Sequence, residues 1–182
     1  MIITDINKAI DLLLNQKIIA LFQNHSEWGP RALGNRSILG NPEKDLKNYL
    51  NEKVKFREKW RPYAGIVLQE SVHDYFNFPK TVSPYMMYNG YVKSDKLEKL
   101  QGIVHYDKSC RIQTVSKEDN YPLYLLLKKF EKATNIPVLL NTSFNIKGEP
   151  IVQTPSDALK SFFECDLDVL VIDSIILIKK FD

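Results

Sequence analysis

Short apolar runs recur along the whole chain, and no single run is long. KIIALFQ, YAGIVLQ, CRIQTV, IPVLLN, LDVLVID and IILIKK each have the length of a buried strand. Segments with helix signatures lie between them. TDINKAIDLLLNQ sets Ile6, Ile10, Leu13 and Leu14 at helical spacing behind a capping Thr4. NPEKDLKNYLNEK offers Asn41 as N-cap and Pro42 at the first helical position, which predicts a helix there. YPLYLLLKKFEKAT places Leu123, Leu126, Leu127 and Phe130 on one side, and TPSDALKSFFE repeats a Thr-Pro helix start. VSPYMMYNGYV, aromatic and mixed, reads as strand with turns. Helices and strands are mixed without strict alternation. The expected fold is therefore α/β or α+β, a sheet with helices packed against it, and not a doubly wound nucleotide fold.

No repeat, low-complexity tract or Gly/Ser linker interrupts the 182 residues, so a single domain over 1–182 is expected. A net charge of +3 with interleaved acids and bases argues for neither a nucleic-acid nor a membrane surface. The start, MIITDINKAI, has no basic segment followed by an apolar one, and VLVIDSIILI is short and carries Asp173. Cys110 and Cys165 are isolated and read as reduced thiols, which together point to a cytoplasmic protein. His25, His73 and His105 lie far apart, with no metal-ligand spacing.

The charges hold the next signal. Twenty lysines scatter over predicted helix faces, but four of the five arginines fall between positions 31 and 61: Arg31, Arg36, Arg57 and Arg61, with Arg111 apart. A lysine serves as a surface charge, but it cannot present a planar fork of donors to phosphate or carboxylate. Clustered forks suit a polyanionic ligand. They equally suit loops tied to buried acids, and Glu27, Glu58 and Glu149 lie in the same segments. If VKFREKWRPYAG begins extended, Lys55 and Arg57 point to one side, ahead of Arg61 and the restraint of Pro62. In LLNTSFNIKGEPIV an apolar strand runs into Asn141, Thr142, Ser143 and Asn145, short polar groups that could bind a ligand at a strand end or cap a turn. GxxxxGK[ST] and GxGxxG are both absent. Any bound phosphate must then be neutralised by side-chain cations.

SEWGPRALGNRSILGNP, LNEKVKFREKWRPYAGIVL, HYDKSCRIQTV, PVLLNTSFNIKGEPIV and DLDVLVI resemble, in order and over nearly the whole chain, the C-terminal domain of NodU/CmcH-type O-carbamoyltransferases. The resemblance implies a YrdC-like α/β fold, a twisted mixed sheet with flanking helices around a basic cavity. It implies formation of carbamoyl-adenylate from ATP and carbamoyl phosphate, with Mg²⁺ accompanying the nucleotide. By the same resemblance, Lys55 and Arg61 hold phosphates, Arg31 and Arg111 close the anion site, and Asn141 and Ser143 bond the carbamoyl or phosphate groups with Asn145 close by. Lys55, Arg61 and Arg111 are thereby the candidate catalytic residues, while Arg36 and Arg57 match motif positions without an assigned role.

Two departures from the family pattern stand out. Asn24-His25 replaces the family's Gly-Arg, which removes one cation or makes it dependent on pH. The family's N-terminal, kinase-like transferase domain has no counterpart in this sequence, which reads as a standalone protein, a subunit or a piece of a longer chain; the resemblance implies that a separate domain or a possible separate kinase-like transferase subunit passes the carbamoyl group to a hydroxyl acceptor. Two other readings compete. One is a non-catalytic nucleotide- or partner-binding module. The other is nucleic-acid binding, which the near-neutral charge balance argues against. A covalent role for Ser143 is not expected, because no His/Asp pair accompanies it.

Overall fold

The computed structural model describes residues 6–43 and 46–179. It begins with α1 (Ile6–Leu14), which buries Ala9, Ile10 and Leu13. The capping Thr4 lies outside the described residues. β1 (Ile19–Phe22) and β2 (Arg36–Gly40) pair antiparallel. The short helix α2 (Lys47–Tyr49) widens into a π-type turn, Leu50–Val54. Next come β3 (Ala64–Leu68), the single turn α3 (Val72–Tyr75), β4 (Phe76–Asn77), β5 (Tyr88–Val92) and β6 (Ser109–Val115). The chain continues through α4 (Tyr121–Thr134), β7 (Val138–Ser143), α5 (Pro155–Phe163) and the pair β8 (Val169–Ile172) and β9 (Ile175–Ile178).

All nine strands join one sheet in the order β4-β5-β6-β3-β7-β2-β1-β8-β9. β1 with β8 and β3 with β6 are parallel; the other neighbours are antiparallel. A mixed sheet with flanking helices is the fold class the sequence predicted. In the middle of the sheet Val138, Leu139 and Leu140 are all fully buried, which accounts for a continuous apolar run where a half-exposed strand would alternate. The predicted helix face is the one buried: Leu123, Leu126, Leu127 and Phe130 of α4 are inaccessible. Asn120 caps the start of α4 by accepting from Leu123 N–H, and Asn135, left-handed at φ 57°, ends it. Thr154 and Asp157 form a reciprocal capping box on α5.

Two local expectations are corrected. Asn41 caps no helix. Its buried Oδ1 accepts from Glu43 N–H at 3.0 Å, closing a turn, and the regular helix starts only at Lys47. Residues 55–57 are not an extended stretch. Lys55 ends the π-type turn, with its N–H on Leu50 O at 2.7 Å, and Phe56 has φ 46°. Simple alternation therefore does not place Lys55 and Arg57.

The sheet register sets the stage for the functional groups. Asn141 of β7 lies opposite Ala64 of β3, and Ala64 lies opposite Arg111 of β6. Directly opposed residues share a face, so Arg111, Ala64 and Asn141 form one row across three strands. A loop from residue 23 to 35 closes over this end of the sheet. Its Gly34 has φ 115°; its carbonyl accepts from Gln23 Nε2 and its N–H donates to Ser37 Oγ, both at 2.9 Å.

A Cβ on Gly34 would fall 2.5 Å from Leu123 Cδ2 of α4, whereas one on Gly29, at a similar φ of 110°, would meet nothing within 4 Å. Both Gly→Ala changes carry backbone strain, but Gly34→Ala adds overpacking. Gly34→Ala is expected to destabilise the chain by about 1–3 kcal/mol more than Gly29→Ala in urea unfolding. Equal midpoints would mean the loop does not seat on α4 as described.

Candidate functional site

Arg31, Arg57, Arg61 and Arg111 line one cleft of about 270 Å³, together with Asn141 and Ser143. Among the described residues the lining contains no carboxylate. Among the described residues Arg61 pairs with Glu58 alone, at 3.8 Å with both side chains about half exposed, a weak solvated pair. Among the described residues no ion pair joins Arg31, Arg57 or Arg111 to an acid. Burial lowers the Arg111 pKa, and the charge of Arg31 beside it lowers it further. Like charges gathered this way repel, and the arrangement is favourable only when an anion joins them.

Different elements hold each guanidinium. Arg111 stands on β6, in the row described above. Arg31 rides the 23–35 loop, and Arg36 keeps that loop closed. The Arg36 fork donates to Gln23 O at 2.7 Å, Asn35 O at 3.1 Å and Asn24 O at 3.2 Å, and it stacks 3.6 Å from the Phe22 ring centroid. Glu27 Oε1 accepts from the N–H groups of Leu33 and Asn35, both at 2.7 Å, and of Arg36 at 3.3 Å. Arg36 is thus an internal tie and Arg31, five residues before it, an open cation. Arg57 and Arg61 come from the loop after the π-type turn, where Arg57 also lies over the Tyr63 ring at 4.9 Å.

Lys55 is placed differently from the resemblance-based expectation. It is buried and is not among the cleft-lining residues. Its ammonium donates to Ser143 O, to Asn145 O at 2.9 Å, to Asn145 Oδ1 at 2.7 Å and to Ser143 Oγ at 3.3 Å. Ser143 O–H donates to Asn145 Oδ1 at 2.7 Å, and Asn145 Nδ2 to Glu149 O at 2.8 Å. Lys55 and Asn145 therefore stand behind Ser143, which itself reaches the cleft. Burial pulls the Lys55 pKa down to about 7, helped by the charges of Arg57 and Arg61.

Asn141 is almost wholly buried, and its neighbours determine which way its amide faces. Nδ2 donates to Ala32 O at 2.9 Å and to Gln113 Oε1 at 3.1 Å, while Gln113 Nε2 donates to Leu33 O at 2.9 Å. Oδ1 is left buried with no protein partner. A buried acceptor without a donor is costly, so this one is suited to an N–H or O–H supplied by a ligand.

Arg57, which the sequence left without a role, lines the cleft; its signal was the proximity of Lys55 and Arg61 in one motif. His105 also lines it, with Nε2 3.3 Å from Tyr63 O and Nδ1 3.1 Å from Ser109 Oγ. Through His105 and Pro62 the cleft adjoins a broader groove of about 740 Å³ bordered by Trp60, Leu97 and Tyr106. Cys110 and Cys165 are free and buried, as expected of reduced thiols, and burial pushes the Cys110 thiol up to about 12. Among the described residues no three His, Cys, Asp or Glu side chains gather into a cation site, and no helix is long and apolar enough to cross a membrane.

Known proteins resemble this chain in sequence and in fold. Residues 10–179 match the family described as Carbamoyltransferase C-terminus. Nodulation protein NolO of Bradyrhizobium diazoefficiens is 41% identical over 177 residues, covering 96% of this chain and 32% of the relative. Nodulation protein U of Rhizobium tropici is 41% identical over 140 residues, covering 75% and 24%. The chain thus spans between a quarter and a third of the length of these relatives. Full-length HypF, solved in a phosphate- and nucleotide-bound form, superposes with a TM-score of 0.59 at 17% identity, covering 94% of this chain and 21% of HypF. HypF of T. kodakarensis superposes at 0.56 and 14%. These two share the fold, which is the YrdC-like α/β fold that the motifs implied. With residues 10–179 matching that one family, this chain belongs to the carbamoyltransferase C-terminal family.

Proposed function

We propose that the arginine cleft forms carbamoyl-adenylate from ATP and carbamoyl phosphate, and that a kinase-like transferase domain or subunit moves the carbamoyl group to a hydroxyl acceptor. The observation that carries this reading is the convergence of four guanidinium groups on one cleft without a lining carboxylate. The match to the Carbamoyltransferase C-terminus family and a structural neighbour solved with phosphate and nucleotide support it.

The chemistry follows from charge. Water splits carbamoyl phosphate into carbamate and phosphate. A carbamate oxygen then attacks the α-phosphorus of ATP, and the bond to pyrophosphate breaks. Carbamate and triphosphate repel in water. Fixed guanidinium forks remove that repulsion and stabilise the charge that grows on the departing pyrophosphate. The unpaired Asn141 Oδ1 accepts from the carbamoyl –NH₂, and Ser143 bonds a neighbouring oxygen. The cleft accommodates phosphates and carbamate, and the adjoining groove of about 740 Å³ has room for the nucleoside. With no three-residue donor cluster among the described residues, Mg²⁺ would be held chiefly by phosphate oxygens and water, where it screens the triphosphate charge. A second reading is a module that binds nucleotide without turnover, favoured by Asn24-His25 standing where the family has Gly-Arg.

Calorimetry with ATP, followed by a pyrophosphate-release assay with carbamoyl phosphate, separates the two readings. Binding together with release is expected; binding without release would select the module. Arg61→Ala and Arg111→Ala are each expected to weaken ATP binding about 10- to 100-fold and to stop pyrophosphate release, with unchanged circular dichroism. Arg61→Lys should recover little of this, because a point charge replaces a fork. Undiminished release in the alanine variants would remove the assignment.

Lys55 adds a pH dependence. Its pKa is about 7 in the folded chain against 10.5 for an ordinary lysine. Between those values the unfolded chain holds a proton that the folded chain has released, so this group makes stability rise with pH across that window. An anion bound nearby favours the charged form. At pH 8, ATP binding should therefore take up a proton, seen as different binding enthalpies in buffers of different ionisation enthalpy. Lys55→Met should abolish that difference; if the difference persists, another group titrates.

A further inference from the structure

The two arginines on the 57–63 loop share a single support, Asn51, which none of the readings above uses. Asn51 sits in the π-type turn and is fully buried. Its side-chain Oδ1 accepts from Arg57 Nε at 2.8 Å and from the Tyr63 hydroxyl at 2.6 Å. Its Nδ2 donates to Lys59 O at 2.9 Å and to Arg61 O at 3.0 Å. Its backbone carbonyl accepts from Arg57 N–H at 2.8 Å. The amide cannot be flipped: Arg57 Nε only donates, and the Lys59 and Arg61 carbonyls only accept.

We infer that Asn51 is the positioning residue of the anion cleft, setting the aim of Arg57 and Arg61 together. Both donors and both acceptor positions of one amide are spent on this loop. Aspartate would lack the two donors, serine the reach, and leucine every bond. The π-type turn contributes as well, because its extra residue per turn ends the helix at Lys55 and lets the chain fold back over Asn51. Tyr63 closes the circuit: its hydroxyl is on Asn51, and its carbonyl lies within reach of His105. Without Asn51, the loop keeps its charges but loses the geometry that lets two forks meet one phosphate chain.

This inference rests on the reading of the cleft as a nucleotide-phosphate site, and the test separates the two. Tripolyphosphate and ATP affinities are measured at low ionic strength for wild type, Asn51→Ala and Leu126→Ala. The last is a core truncation in α4, away from the cleft, that controls for lost stability. Asn51→Ala is expected to weaken both ligands about tenfold or more, while Leu126→Ala leaves affinity unchanged in the folded protein. Combined with Arg57→Ala or Arg61→Ala, Asn51→Ala should cost far less than its single effect, because its targets are gone. Combined with Arg111→Ala it should cost its full effect. Equal losses in every background, or a loss matched by Leu126→Ala, would reduce Asn51 to a structural residue and overturn the inference. Failure of the wild-type chain to bind either ligand would overturn the nucleotide reading itself, and this inference with it.

Discussion

Mutual repulsion among four guanidinium groups is the constraint around which this end of the molecule is built. Exposed cations on flexible side chains would swing apart into solvent and bind nothing in particular. Here they are held from separate directions, on strand β6, on the loop over the sheet and on the loop after the π-type turn. The fold spends its internal hydrogen bonds on the chain that carries the charges. Arg36 and Glu27 hold one loop, and Asn51 holds the other. The charges themselves make few contacts: Arg57 spends only its Nε on Asn51 and lies over Tyr63, and Arg61 keeps a weak solvated pair with Glu58.

The five arginines therefore do two kinds of work. Arg36 uses its fork internally, donating to three backbone carbonyls and stacking on Phe22, a geometry unavailable to lysine. The other four line the cleft. Arg36 ties its loop, but to backbone carbonyls and not to a buried acid. Lys55 occupies an intermediate place. It has no carboxylate among its hydrogen-bond partners, and burial brings it near neutrality at physiological pH. It grips the Ser143–Asn145 segment from behind, linking the charge state of the interior to the wall of the cleft.

Most elements were legible because local signals and tertiary burial agreed. The helix face of α4, the Thr-Pro start of α5 and the apolar strands β1, β3, β7 and β8 needed only periodicity and turn chemistry to read. The stretch from Asn41 to Arg61 was not legible in that way. An Asn-Pro pair signals a helix start and a turn equally well, and the buried Asn41 settled on a local bond to Glu43. Alternation assumed an extended chain after Lys55, but Leu50 and Val54 are drawn fully into the core, and their burial favours a widened helical turn instead. Asn51 carried no signal of its own. An asparagine within a helical pattern looks like a surface residue until its bonds to Arg57, Lys59, Arg61 and Tyr63 are seen.

Taken alone, the sequence determined the mixed fold, the family and which residue types would confront an anion, because long motifs and apolar periodicity are local properties of the chain. It did not determine which cations are open and which are spent. That was decided by tertiary structure: register aligned Arg111 with Asn141 across β3, loop closure set Arg36 against backbone carbonyls, and burial removed Lys55 from the cleft. Those outcomes depend on which groups become neighbours and how much water remains between them, and no local pattern encodes either.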